Sequence, residues 1–186
     1  MRISATEPML QRLKFQVEDH LENALLFINL KDTELNRVST NGGWSIAECL
    51  EHLNTYGRYY LPNIQAALKY SDAPANPQFK STLLGNYMVN LMDITKKQRR
   101  FRTSKKHLPL MDIAPQEVLG TFIKQQEMML KLLDQALKAD LNRIKIPLSI
   151  TRLIKFKLGD ILLFMVTHNE RHIQQARKHI THTILN

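Results

Sequence analysis

Leu158 to Ile180 reads L-G-D-I-L-L-F-M-V-T-H-N-E-R-H-I-Q-Q-A-R-K-H-I. Ile161, Met165, His168, His172 and Ala176 recur at three- or four-residue steps, so the stretch predicts one amphipathic helix with two histidines in its inward row. Four residues advance a helix by about 400°, which puts the imidazoles of His168 and His172 on one face, a turn apart, where both can hold one metal ion. Asp160 falls at the helix start, against the positive end of the dipole. The stretch departs from the H-E-x-x-H pattern of metalloproteases: Asn169 stands where that pattern has its general-base Glu, which excludes that chemistry.

Three further segments carry the same periodicity. Thr6 to Leu30 places Leu10, Leu13, Val17, Leu21, Ala24 and Ile28 on one stripe, with His20 on its flank. A polar loop follows from Lys31 to Gly43, punctuated by Asn41-Gly42-Gly43. Ser45 and Glu48 form a capping box that opens the next helix, whose apolar face is Ile46, Cys49, Leu50, Leu53, Tyr56, Tyr60 and Ile64. His52 sits at the border of that face, and Pro62 is expected to bend the helix or mark its last regular turns. Ser71 to Gln78 reads as a loop and Ser81 to Ile94 as a short helix. Pro115 suits a first helical position. Behind it Leu119, Phe122, Ile123, Met129, Leu130, Leu133 and Leu137 face inward, with Gln126 interrupting the stripe. Asp140 to Lys157 is a connection with room for a short extended piece. Four long amphipathic helices predict an all-α fold, an up-down four-helix bundle with a long connection between the second and third main helices, formed by residues 1–186 as a single domain.

Composition supports a helical, cytoplasmic chain. At 186 residues and 44% hydrophobic it can bury a continuous core. Six Gly and seven Pro are few for a turn-rich β fold. A single cysteine, Cys49, excludes an intramolecular disulfide framework and suits a reducing compartment. The longest apolar run, Ile161 to Val166, is too short to span a bilayer, and no membrane partner is expected. The formal charge of +9 favours anionic partners. It is concentrated in Thr95 to His107, where Lys96 to Lys106 could contact an anion or nucleic acid. With Phe101 its sole aromatic, the run lacks the interleaved stacking residues of single-strand binders, and a solvated surface excursion is the expected reading.

Of seven histidines, His179 and His182 fall near the chain end and His107 in the basic loop. His52 can join His168 and His172 if the second and fourth long helices are neighbours. Three neutral imidazoles with positions left for water or substrate make a catalytic type of metal site. Spacing alone leaves a second reading open, in which His168 and His172 are hydrogen-bonded core histidines and His52 is unrelated.

Two blocks bear on that choice. Gly43-Trp44-Ser45-Ile46-Ala47-Glu48-Cys49-Leu50-Glu51-His52-Leu53 resembles the W-[ST]-x-x-E-x-x-x-H-L opening of the second helix in the DinB/YfiT-like superfamily of bacterial four-helix proteins. Leu158-Gly159-Asp160 followed by His168-Asn169-Glu170-Arg171-His172-Ile173-Gln174-Gln175 resembles that family's final helix. Phe101-Arg102-Thr103 is similar to a turn of some members, with Ser104 in place of the proline. The resemblance implies a bundle in which His52, His168 and His172 bind a divalent metal, frequent dimers, and activities of the metal-dependent hydrolase or thiol-dependent transferase and isomerase type on small molecules, with a low-molecular-weight thiol as cosubstrate. Such an ion lowers the pKa of a water or thiol and supplies a nucleophile at neutral pH. Three imidazoles suit Zn, Ni, Fe or Cu, and Mn is a further candidate. Tyr56, Tyr59, Gln126 and Arg171 are candidate pocket residues. Cys49, one turn before His52, reads either as a fourth ligand or as a small buried hydrophobe. A non-enzymatic binding protein is the remaining alternative.

Overall fold

The computed structural model describes residues 2–38, 43–96, 103–110, 114–151 and 153–184, with side chains described as far as residue 180. Four long helices carry the fold: α1 (Thr6–Ile28), α3 (Ile46–Lys69), α5 (Pro115–Ala136) and α6 (Leu158–Ile184). Between them lie α2 (Asp32–Leu35), α4 (Leu83–Met92) and a 3-10 turn, Lys105–His107. Two small antiparallel pairs complete it, β1 (Ile3–Ala5) with β2 (Gln78–Lys80), and β3 (Lys145–Pro147) with β4 (Lys155–Lys157).

α1 packs on α5 and α6, and α3 packs on the same two helices. The consecutive helices α1 and α3 therefore share one diagonal of the bundle, and α5 and α6 share the other. α3 and α6 are neighbours, the condition His52 needed. Two apolar clusters fill the interior. One joins Leu10, Leu13 and Val17 to Tyr60, Ile64, Met129, Leu133 and Ile161–Val166; the other joins Ala24 and Phe27 to Ile46, Leu50, Leu53, Phe122, Ile173 and Ala176. Along α3 and α6 the two clusters are separated by a buried polar band: His52, Asn54, His168, Asn169 and His172, with Gln126 from α5.

Local chemistry accounts for the helix limits. Ser45 caps α3 by accepting from Glu48 N–H (3.1 Å) while Glu48 accepts from Ser45 N–H (2.8 Å), the predicted box. Pro115 opens α5 as predicted. α3 runs on past Pro62 to Lys69.

Several expectations are corrected. α1 turns Phe27 into the core and leaves Ile28 45% exposed and Leu21 half-buried. His20, expected on the flank, is fully buried, with Nε2 3.0 Å from Glu170 on α6. Gln78, read as loop, begins β2, which pairs with the N-terminal Ile3–Ala5. The polar loop after α1 contains the turn α2, which buries Leu35. The 140–157 connection, by contrast, does hold the extended piece the sequence has room for, as the β3–β4 hairpin. Residues 39–42 and 97–102 lie outside the described residues, and with them Asn41-Gly42, Lys97 to Arg102 and most of the basic segment; the side chain of His182 does so too.

Candidate metal centre

His52 lies two turns into α3, whose start and azimuth are set by the Ser45 cap. His168 and His172 come from consecutive turns of α6. All three are buried. One ring nitrogen from each lies within 4.8 Å of the others, and His52 Nε2 stands 3.2 Å from His168 Nε2. Nitrogens bound at about 2.1 Å in a tetrahedral set are about 3.4 Å apart, so this spacing suits a common ion. Among the described residues this is the one group of three such side chains that could hold a metal ion.

The remaining nitrogens decide the tautomers. His52 Nδ1 is 2.6 Å from the main-chain oxygen of His107, which can only accept, so Nδ1 carries the proton and Nε2 keeps its lone pair. His172 Nδ1 is 3.1 Å from Gln175 Oε1, which leaves His172 Nε2 as the other donor atom toward the cluster. Aromatic rings close the surroundings: Trp44 lies 4.7 Å from His52 and stacks on His172 at 5.6 Å, Phe164 stacks on His168 at 5.4 Å, and Tyr56 meets His168 edge-on at 4.7 Å.

Burial keeps the cluster uncharged. It is the main cause holding His168 well below the usual histidine range, with His172 and His52 adding mutual repulsion. Burial also lowers His172 to about 3, helped by His52. His52 shifts the same way, again through burial, partly offset by its bond to the His107 carbonyl. At neutral pH the site thus presents three unprotonated imidazoles, the form a metal requires. The residues fit a divalent cation.

The other candidates divide. Tyr56 belongs to the site, touching His52, His107 and His168, and burial pushes its hydroxyl up to about 12. Arg171 is half-buried, and its charge helps depress both His168 and His172. Gln126 lies behind the histidines, accepting from Asn169 Nδ2 at 3.0 Å. Tyr59 is turned away, donating to Leu148 O at the hairpin. Cys49 sits in the apolar cluster of Leu50 and Phe122, with Sγ 4.0 Å from Trp44 O, and burial pushes its thiol up. That is the environment of the small-hydrophobe reading.

Sequence reasoning missed His107. It is buried rather than part of a solvated loop, and it stacks on Tyr56 at 3.7 Å. Its contribution to His52 is a main-chain carbonyl, which leaves no side-chain signature. Gln175 and Trp44 do have a sequence signal, since both lie within the two family-like stretches, Gly43 to Leu53 and His168 to Gln175.

A helical bundle with a buried set of three converging imidazoles defines a class of metal-capable proteins. The chain belongs to the DinB superfamily, whose family model matches residues 16–176. Its fold is similar to the solved structure of YfiT from Bacillus subtilis, described as a probable metal-dependent hydrolase with an unusual four-helix bundle topology. The TM-score is 0.52 at 15% identity, over 96% of this chain and 87% of that one. None of the curated proteins matches the chain.

Proposed function

We propose that the protein is a divalent-metal enzyme of the hydrolase or thiol-dependent S-transferase type, with His52, His168 and His172 as the ligands of the ion. The observation that carries this is the convergence of three buried, uncharged imidazoles, two with their tautomers set by partners outside the cluster. A bound divalent cation supplies Lewis acidity, lowering the pKa of a water or thiol beside it. The chain's own residues do the rest. Trp44 and Phe164 cover the imidazoles and limit water, while Tyr56 presents a hydroxyl that burial keeps protonated, a donor for an oxygen of the substrate. Arg171, beside His172, favours substrates carrying negative charge.

The wider reading is a cytoplasmic bacterial protein, residues 1–186 acting as one domain and assembling as a homodimer on a small-molecule substrate. No helix among the described residues is long and apolar enough to cross a membrane.

The test is a screen of the metal-loaded protein against small electrophiles, with water alone and with several cellular thiols. Turnover that disappears on chelation and in His168→Ala is expected. Turnover unchanged by both, or no turnover with any thiol or with water, would overturn the enzymatic reading.

A further inference from the structure

We infer that His107, whose main-chain carbonyl sets the tautomer of His52, is the positioning residue of the metal centre through its ring: the side chain clamps that carbonyl against His52. The inference rests on the metal reading for its consequence, but the geometry behind it involves no ligand atom directed at the ion.

His107 ends the 3-10 turn in the crossing between α4 and α5, where its ring is held from two sides. Thr55 Oγ donates to the His52 carbonyl at 2.7 Å, so its proton is used and it can only accept from His107 Nδ1, 2.8 Å away. Nδ1 of His107 therefore carries the proton and Nε2 accepts, and Ser149 Oγ, 2.7 Å from Nε2, donates to it. Ser149 is itself fixed by Tyr60: its N–H donates to the Tyr60 oxygen at 3.1 Å, and the Tyr60 hydroxyl donates to Ser149 Oγ at 3.4 Å. The ring face lies on Tyr56, 3.7 Å away and 18° from parallel. Every polar atom in this chain has a defined role, and each role follows from its neighbour.

The clamp acts on His52. With the ring tied to α3 through Thr55 and Tyr56, and to the β3–β4 hairpin through Ser149, the His107 carbonyl stays 2.6 Å from His52 Nδ1. That bond selects the tautomer whose Nε2 lone pair faces His168. Released from it, His52 can place its proton on Nε2, where it blocks the ion. Partners of this kind change metal affinity by about 10–100-fold without touching the metal. The hairpin, far from the triad in sequence, thereby becomes part of the site.

Two variants leave all three imidazoles in place. His107→Phe keeps the stack on Tyr56 and removes both ring hydrogen bonds; Ser149→Ala keeps the His107 ring and removes the donor to its Nε2, together with the acceptor of the Tyr60 hydroxyl. Imidazole nitrogen NMR on the metal-free protein reads which nitrogen of His52 is protonated. The wild type is expected to give one Nδ1–H species and the variants a mixture. Zinc dissociation constants, measured by competition with a chromophoric chelator, should weaken about 10–100-fold in His107→Phe and less in Ser149→Ala. If His107→Phe does not fold, Ser149→Ala carries the test, with far-UV circular dichroism as the control. A single Nδ1–H tautomer retained in the folded variants overturns the role of His107, whatever the zinc affinity. A wild type that holds the tautomer, loses it in the variants and yet binds no zinc overturns the metal reading and leaves the clamp standing.

Discussion

Replacing Asp160 with alanine removes one carboxylate and strips three donors of their acceptor. Asp160 is fully buried in the first turn of α6. Its Oδ1 accepts from the Ser81 hydroxyl, and its Oδ2 from Thr82 N–H (3.2 Å) and Thr82 Oγ–H (2.8 Å). Thr82 in turn caps α4, its Oγ accepting from Gly85 N–H at 2.9 Å. One side chain thus fastens α4 to α6, and a Cβ at Gly85 would lie 2.2 Å from its Cγ. Hydrogen bonds to a charged group contribute about 1.5–3 kcal/mol each. Two of the three end on one residue and do not add fully, so the expected loss is about 3–5 kcal/mol. Buried Ser81 would keep only its longer bond to the Thr82 carbonyl, at 3.3 Å. Against a typical stability of about 5–15 kcal/mol this is a large fraction. Urea denaturation of the metal-free protein, followed by circular dichroism, should show the midpoint falling by about 1–2.5 M for a slope of about 2–3 kcal/mol per molar. Asp160→Asn, which keeps the shape and one acceptor oxygen, should lose less. A loss below about 1 kcal/mol for Asp160→Ala would refute the clasp, because it would mean these bonds are replaced by water at no cost.

Acid should destabilise the metal-free protein before its carboxylates titrate. The folded pKa values of His52, His107, His168 and His172 lie below the unfolded value, so the unfolded chain takes up protons first. The stability they confer is complete above about pH 6.5 and is lost as pH falls toward the folded values, about 4 for His107 and about 3 for His172. His168 and His172 alone give a slope of about 2.7 kcal/mol per pH unit, and equal denaturation midpoints at pH 7 and pH 5 would contradict this. Gly159→Ala should cost about 1–3 kcal/mol, because its Cβ would meet the buried Phe79 ring at 2.5 Å. Gly120→Ala, with nothing within 4 Å, should instead raise stability by up to about 1 kcal/mol, and thermal melts of the pair read the contrast. Cys49 should react with an aromatic disulfide reagent only as fast as the protein opens; a rate matching the urea-unfolded chain would disprove its burial.

What was legible in the sequence was whatever a helix displays locally. The α6 row from Ile161 to Ala176, the Ser45–Glu48 box and Pro115 at the head of α5 depend on residues three or four apart, and the structure has them where the periodicity puts them. Three histidines on two such helices could be joined once α3 and α6 were taken as neighbours. The phase at the end of α1 was not legible, because Ala24-Leu25-Leu26-Phe27-Ile28 is apolar at every position and tertiary packing alone picks Phe27. The partner of buried His20, Glu170, lies 150 residues away, beyond the reach of any local pattern. The three-residue strands β1 and β2 are too short for alternation to show, and the diagonal placement of α1 and α3 follows from contacts between helices. His107 acts through its backbone, which every residue shares.

The most direct test of the metal centre is the metal content of protein purified without a histidine tag, measured beside His172→Ala after both are loaded with zinc and desalted. The predicted result is close to one equivalent in the wild type and a large loss in the variant, with the fold of each confirmed by circular dichroism. An unchanged, stoichiometric content in His172→Ala would place the ion elsewhere and contradict the account.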